Sequence, residues 1–163
     1  MPKFLNPPHA RKRAEPIPLA EADLPTFTRS PDYCGIYFLL KGGLVVYVGQ
    51  SVAVHVRVHQ HVASGKDFDA YAVLPWPAAG LNDKEAEMIL KYDPPLNGGI
   101  PVNSKYVSSL GIKHKAGTHK GKVARMVRES GLRPHCRCSF GVFFLRSELE
   151  TVFGKLRRTS TRD

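Results

Sequence analysis

With 163 residues, 42% hydrophobic and 23% charged, the chain is long enough for one ordinary domain or two small ones and has a globular composition. No apolar run reaches the roughly 18–20 residues of a membrane-spanning helix, and MPKFLNPPHARKRAEP has no apolar segment behind its charges, so neither a spanning helix nor a secretory signal is expected. The net charge of +10 is not spread evenly: residues 1–97 hold ten Lys/Arg and ten Asp/Glu, whereas residues 98–163 hold fourteen against four. Such asymmetry suggests a polyanionic partner, most often nucleic acid. Three cysteines, Cys34, Cys136 and Cys138, form no disulfide framework, which fits a reducing compartment and leads us to expect a soluble cytoplasmic protein.

Residues 1–31 are dense in proline, which blocks regular helix and ladder pairing, and read as an extended lead-in with Leu24 or Phe27 packed on the domain. The cluster Arg11-Lys12-Arg13 reads as a solvated tail. Two apolar runs follow, Ile36–Leu40 and Leu44–Val48, separated by Lys41-Gly42-Gly43. Paired glycine between strand-forming runs predicts a hairpin, because a two-residue turn needs positive φ at both positions. Each run carries a tyrosine, Tyr37 and Tyr47.

Residues 52–62, VAVHVRVHQHV, satisfy two patterns at once. Val52, Val54, Val56 and Val58 alternate as in a strand, whereas Val54, Val58 and Val62 lie at helical spacing with Ser51 as a candidate cap. On a helix Arg57 and His61 are one turn apart, and on a strand they are about 13 Å apart. Residues 69–76 predict a strand burying Tyr71, Val73 and Leu74. Residues 82–93 predict a helix with Ala86, Ile89 and Leu90 on one face, ended by Pro94-Pro95. Glu85 lies three residues after Asn82, so a capping-box role competes with a chemical one.

Beyond residue 100 the expected order is a short helix at Tyr106–Leu110, a basic glycine-containing loop at Lys113–Lys122, a helix from Thr118, a strand at Phe140–Leu145 and a capped helix from Ser147. This order is compatible with a small helix-turn-helix-like module. His55 and His59 have i, i+4 spacing, and His135-Cys136-Arg137-Cys138 hints at zinc with His114 and His119, but exposed histidines and unligated thiols are the simpler reading of both.

Gly35-Ile36-Tyr37 and Tyr47-Val48-Gly49 resemble the two name-giving motifs of the GIY-YIG nucleases, with Val48 in place of the middle isoleucine. The resemblance continues in register: Arg57 stands at the family's arginine, His61 at its His or Tyr, and Glu85 through Pro94-Pro95 to Asn97 at its glutamate-bearing helix and asparagine. It covers about residues 33–98, and it settles residues 52–62 as a helix. Counting back from Asn97 also selects Glu85 over the neighbouring Glu87 as the metal ligand. The implied fold is α+β, a three-stranded antiparallel sheet flanked by helices in the order β-β-α-β-α over 32–99. It would be followed by a small, basic, mainly helical region over 100–163.

The implied activity is a DNA endonuclease. Phosphodiester hydrolysis needs a positioned water, a group to take its proton, and positive charge where the transition state gathers negative charge. Arg57 suits the last task, since a guanidinium can hold two phosphate oxygens and stays protonated. Glu85 offers a hard oxygen to Mg²⁺ or Mn²⁺. The resemblance makes Tyr37 the general base; Tyr47 would orient water or phosphate, and His61 would pass the proton on. Gly35, Gly49, Gln50 and Asn97 support the site. Lys113, Lys115, Lys120, Lys122, Arg125 and Arg128 are the expected contacts to duplex or branched DNA, and deletion of 100–163 is expected to weaken binding and flatten its salt dependence. A single active site per chain means that a double-strand break takes two events or a homodimer. The alternative from another class is a non-catalytic DNA-binding protein that retains the fold.

Overall fold

Gly42 and Gly43 take φ of +56° and +78°, the two positive values a tight hairpin requires, and they join strand β1 (Gly35–Lys41) to β2 (Leu44–Ser51). The computed structural model describes residues 15–19, 34–101, 103–108, 125 and 127–153. Helix α1 (Val54–Ala63), strand β3 (Ala70–Pro75) and helix α2 (Leu81–Tyr92) complete an antiparallel sheet in the order β2-β1-β3. This is the expected β-β-α-β-α arrangement.

The two-residue period of β1 divides its side chains between two helices. Ile36 and Phe38 point to one face, where they join Val45, Val48, Ala72, Met88, Ile89 and Tyr92 in a core closed by α2. Tyr37 and Leu39 point to the other, where they join Val46, Val54 and Val58 under α1. The sheet is therefore buried on both sides, which explains why its central strand is almost continuously apolar. The exposed edge of β2 is covered rather than open. The Val45 N–H donates to the Ile17 carbonyl at 2.9 Å, Leu96 N–H donates to the Val46 carbonyl at 3.0 Å, and Leu19 packs on the core. Leu24 and Phe27 lie outside the described residues.

Several local expectations give way to tertiary context. Ser51 is the last residue of β2 rather than a helix cap; α1 starts after Ala53, whose N–H donates to Ser51 Oγ at 3.0 Å. Ala72 is the buried residue of β3, whereas Tyr71, near the start of an edge strand that pairs only with β1, is 46% exposed. Asn82 does not cap α2. Gly80 in the left-handed region does, and Asn82 Oδ1 instead accepts a hydrogen bond from Gln50 Nε2.

The region after residue 100 carries the expected helix, α3 (Arg146–Phe153), together with a second antiparallel sheet. Its strands are β4 (Tyr106–Ser108), β5 (Cys136–Cys138) and β6 (Gly141–Leu145) in the order β4-β6-β5. Tyr106–Ser108 is thus a strand where a short helix was expected, which removes the first helix of the helix-turn-helix reading. Residues 125 and 127–129 are helical, while Lys113, Lys115, Lys120 and Lys122 lie outside the described residues. Phe143 packs with Tyr106 against Ala86 and Leu90 of α2, and Phe144 packs on the opposite side with Val107 and Leu149.

Both ends of α2 are tied to this second sheet. Asp83 in its first turn accepts the Lys105 N–H. At its other end Asp93, left-handed at φ +44°, accepts the Ser139 N–H at 2.7 Å and the Ser139 hydroxyl at 2.5 Å. Deleting 100–163 would therefore uncover Ala86 and Leu90 as well as remove charge. Phe143→Ala is expected to cost about 3–5 kcal/mol, measured by urea unfolding, as a buried aromatic shared between the two sheets. A change within about 0.5 kcal/mol would mean that the second sheet does not support α2.

Candidate active site

The antiparallel register sets Tyr37 directly opposite Gly49, with Leu39 opposite Tyr47. Both phenols consequently share the face covered by α1, with ring centroids 6.1 Å apart. The glycines of the two motifs have distinct steric reasons. A Cβ on Gly49 would lie 2.4 Å from Cζ and the hydroxyl oxygen of Tyr37, so the absent side chain is the space in which that ring lies. A Cβ on Gly35 would lie 2.3 Å from the Leu74 carbonyl oxygen, so this glycine permits the close pairing of β1 with β3.

Tyr37 is only 1% exposed, and its hydroxyl makes a 2.7 Å hydrogen bond with Nε2 of His61. His61, 7% exposed on the inner face of α1, also stands edge-on to Tyr47 with centroids 5.1 Å apart. Burial drives the imidazole down to about 4, helped by the positive charges of Lys66 and Arg57, so the ring is neutral, and with its proton on Nδ1 its Nε2 accepts the phenol O–H as a hydrogen bond. Burial, reinforced by the neighbouring Tyr47, raises the Tyr37 phenol well above its usual range, while Arg57 pulls the other way through hydrogen bonding and charge. Tyr47 is also raised by burial.

Arg57, one turn before His61, is exposed; its Nη1 donates to Gln60 Oε1 at 2.8 Å. Its charge reaches Tyr37, Tyr47, His61 and Glu85. Glu85 comes from α2, the helix on the far face of the sheet, and acts on Tyr47. It lines a cavity of about 470 Å³ with Tyr47, Asn97, Gly98, Gly99 and Ile100. Burial raises its carboxyl to about 7, against hydrogen bonds from the side chain and backbone of Gln50 and the charge of Arg57. Glu87 is turned elsewhere and pairs with Lys84 at 2.9 Å. Asn97 clips the edge of β2: its Oδ1 accepts the Val48 N–H at 2.9 Å and its Nδ2 donates to the Val48 carbonyl at 2.8 Å.

The fold thus brings Tyr37, Tyr47, Arg57 and His61 together between the sheet and α1, with Glu85 and Asn97 sharing a cavity with Tyr47, and with Gln50 near the end of β2. Arg125 and Arg128 stand apart on the second unit, both exposed, with Arg125 3.7 Å from Glu129. His55 and His59 touch edge to face on the outer side of α1. Among the described residues no group of three or more His, Cys, Asp or Glu side chains could hold a metal, so any ion at Glu85 must draw most of its shell from water and substrate. No helix among the described residues is long and apolar enough to cross a membrane. The sequence reading passed over Lys66, whose Nζ lies 3.4 Å from the centre of the Tyr47 ring.

No family model matches the chain, and no curated protein does. Similar solved structures include the GIY-YIG N-terminal endonuclease domain of UvrC from Thermotoga maritima bound to its catalytic divalent cation, magnesium, at 21% identity. Two Tyr-to-Phe point mutants of that domain, bound to the catalytic cation, match at 21% and 20%. Each match has a TM-score of 0.37 and covers 41% of this chain and 84–85% of that domain.

Two outcomes test this geometry. Gly49→Ala is expected to displace the Tyr37 ring and destabilise the fold by about 1–3 kcal/mol, read by thermal denaturation. Glu85 is protonated in the fold up to about pH 7 but ionised in the unfolded chain above its ordinary value of 4.5. Its burial therefore costs stability progressively as pH rises between those values. Glu85→Gln should then raise the urea midpoint at pH 8 and leave it nearly unchanged at pH 4. Equal shifts at both pH values would contradict a buried carboxyl. Over Gly35–Asn97 the chain has the β-β-α-β-α fold and the motif register expected of a GIY-YIG domain.

Proposed function

We propose that the chain is a metal-dependent endodeoxyribonuclease of the GIY-YIG type. The observation that carries this reading is the buried Tyr37 hydroxyl on His61 Nε2, with Arg57 acting on it and with Tyr47 beside it sharing a cavity with Glu85. A phenolate in such a buried place is costly, so Tyr37 acts best when it never becomes one. In the step proposed, a water oxygen attacks phosphorus and the bond to the leaving strand's oxygen breaks. The water's proton passes to the Tyr37 oxygen as the phenol's own proton passes to Nε2 of the neutral His61. Tyr47 positions the water or phosphate, and Arg57 holds non-bridging oxygens as negative charge gathers on them.

Glu85 is the residue that would hold Mg²⁺ or Mn²⁺: a carboxylate on a cavity wall, oriented by Gln50 and penalised by burial when ionised, gains from a cation beside it. When bound, such an ion supplies positive charge for the phosphoryl oxygens. The basic third of the chain, including Lys113, Lys115, Lys120, Lys122, Arg125 and Arg128, holds duplex or branched DNA through its phosphates. The charge split supports this division, since residues 1–97 are balanced.

Nicking of supercoiled plasmid in Mg²⁺ is expected to fall by roughly 10²-fold or more in Tyr37→Phe, Arg57→Ala and Glu85→Ala, with DNA binding in EDTA retained. Undiminished nicking by Glu85→Ala would defeat the metal assignment, and absence of nicking by the wild type in both Mg²⁺ and Mn²⁺ would favour a non-catalytic DNA-binding protein. Because a proton competes with the metal for Glu85 up to about pH 7, Mg²⁺ affinity should climb by about tenfold per pH unit below that value and level off above it, as followed by calorimetric titration. A flat profile from pH 5 to 8 would exclude Glu85 as the ligand.

A further inference from the structure

Lys66 lies nine residues beyond Arg57 and outside the GIY-YIG motif positions, yet the end of α1 aims it into the same cluster. Gly65, at φ +71°, turns the chain back, and the Lys66 N–H donates to the carbonyl of His61 at 3.1 Å. The Ser64 hydroxyl donates to the same carbonyl at 2.9 Å, so the helix end is held at the residue that meets Tyr37. From there the half-buried side chain places its ammonium 3.4 Å from the Tyr47 ring centre. Among the described residues no carboxylate lies within ion-pair range of it. Lys41, Lys84 and Arg125, by contrast, each have an acidic partner.

Among the described residues the site therefore carries two cations without a carboxylate in ion-pair range, Arg57 from the middle of α1 and Lys66 from just past its end. Between them stand two phenols and a neutral imidazole. The two charges disfavour one another: burial, then Arg57, holds the Lys66 ammonium below its usual range, and both charges act on His61. An anion entering this face relieves that repulsion. A cation–π contact alone is a weak anchor at a partly exposed site, so the ammonium can leave the ring for a phosphate at little cost.

We infer that Lys66 is a second backbone-phosphate ligand, resting on Tyr47 in the free protein and moving onto a phosphate of the nucleic-acid strand when it binds. This rests on the nuclease reading above. It adds that the site grips two phosphates, one through Arg57 and one through Lys66, with Tyr47 between them.

The test uses the full chain and a fluorescent duplex oligonucleotide in EDTA, so that binding is read without cleavage, and measures affinity from low to physiological salt. Lys66→Met, which keeps the stem and removes the charge, is expected to lower the slope of log affinity against log salt by about 0.9, the value of one phosphate contact on a duplex. It should weaken binding at low salt several-fold, and Lys66→Arg should restore the slope. A lysine that merely packs on Tyr47 would give a Lys66→Met protein with altered thermal midpoint and unchanged slope, and that result overturns the inference. Plasmid nicking in Mg²⁺ separates the two levels: a wild type that nicks, beside a Lys66→Met slope equal to its own, rejects Lys66 alone. A wild type that neither nicks nor binds DNA rejects both readings.

Discussion

The close approach of Tyr37 to the backbone of Gly49 is the constraint on which the rest of the site depends. A ring lying against a facing strand requires that strand to lack a side chain at that point, and the register of β1 with β2 puts Gly49 there. With the ring seated, its hydroxyl meets His61 on the inner face of α1, and Tyr47 falls beside both rings. A one-residue slip would reverse the faces of β2 and send Tyr47 to the α2 side. The apolar pattern of the strands guards against that slip, because Val45 and Val48 are needed in the core under α2.

A sheet covered on both faces raises the question of how groups from opposite helices can cooperate. They meet around the edge. Gln50, near the end of β2, bonds to Asn82 of α2 and acts against the burial that raises Glu85, while Asn97 replaces a missing strand along Val48. Asn97 satisfies the exposed ladder edge at Val48 and lines the cavity shared by Tyr47 and Glu85. The electrostatics follow from the same placement. Burial raises the phenols and the carboxyl and lowers the imidazole and the Lys66 ammonium, so each of these groups is held towards its neutral form. Such a site is poised for charge brought by ligands.

The helix that carries Glu85 serves two sheets. Its inner face contributes Met88, Ile89 and Tyr92 to the first, its outer face Ala86 and Leu90 to the second, and Asp83 and Asp93 fasten its ends. The position of the carboxylate therefore depends on packing from the C-terminal third as well as from the hairpin. Charge bookkeeping assigned that third to nucleic acid alone. Its hydrophobic contribution was hidden because three-residue strands such as Tyr106–Ser108 and Cys136–Cys138 are too short to display a period.

The amino-acid sequence by itself determined the hairpin, since Gly42-Gly43 between two β-rich runs admits few alternatives, and it placed Tyr37, Tyr47, Arg57, His61, Glu85 and Asn97 at motif spacing. For residues 52–62 periodicity alone pointed both ways, and only the motif register favoured the helix that the structure contains. Tertiary structure decided what depends on partners distant in the chain: that Tyr71 faces outward, that Asn82 bonds Gln50 instead of capping, that Asp93 reaches Ser139, and that Lys66 folds back over Tyr47. The physical reason is common to all four. Periodicity and capping rules describe a residue's relation to its neighbours within about one helical turn, whereas these contacts form only when separate elements pack, and nothing in the local pattern encodes which surfaces will meet.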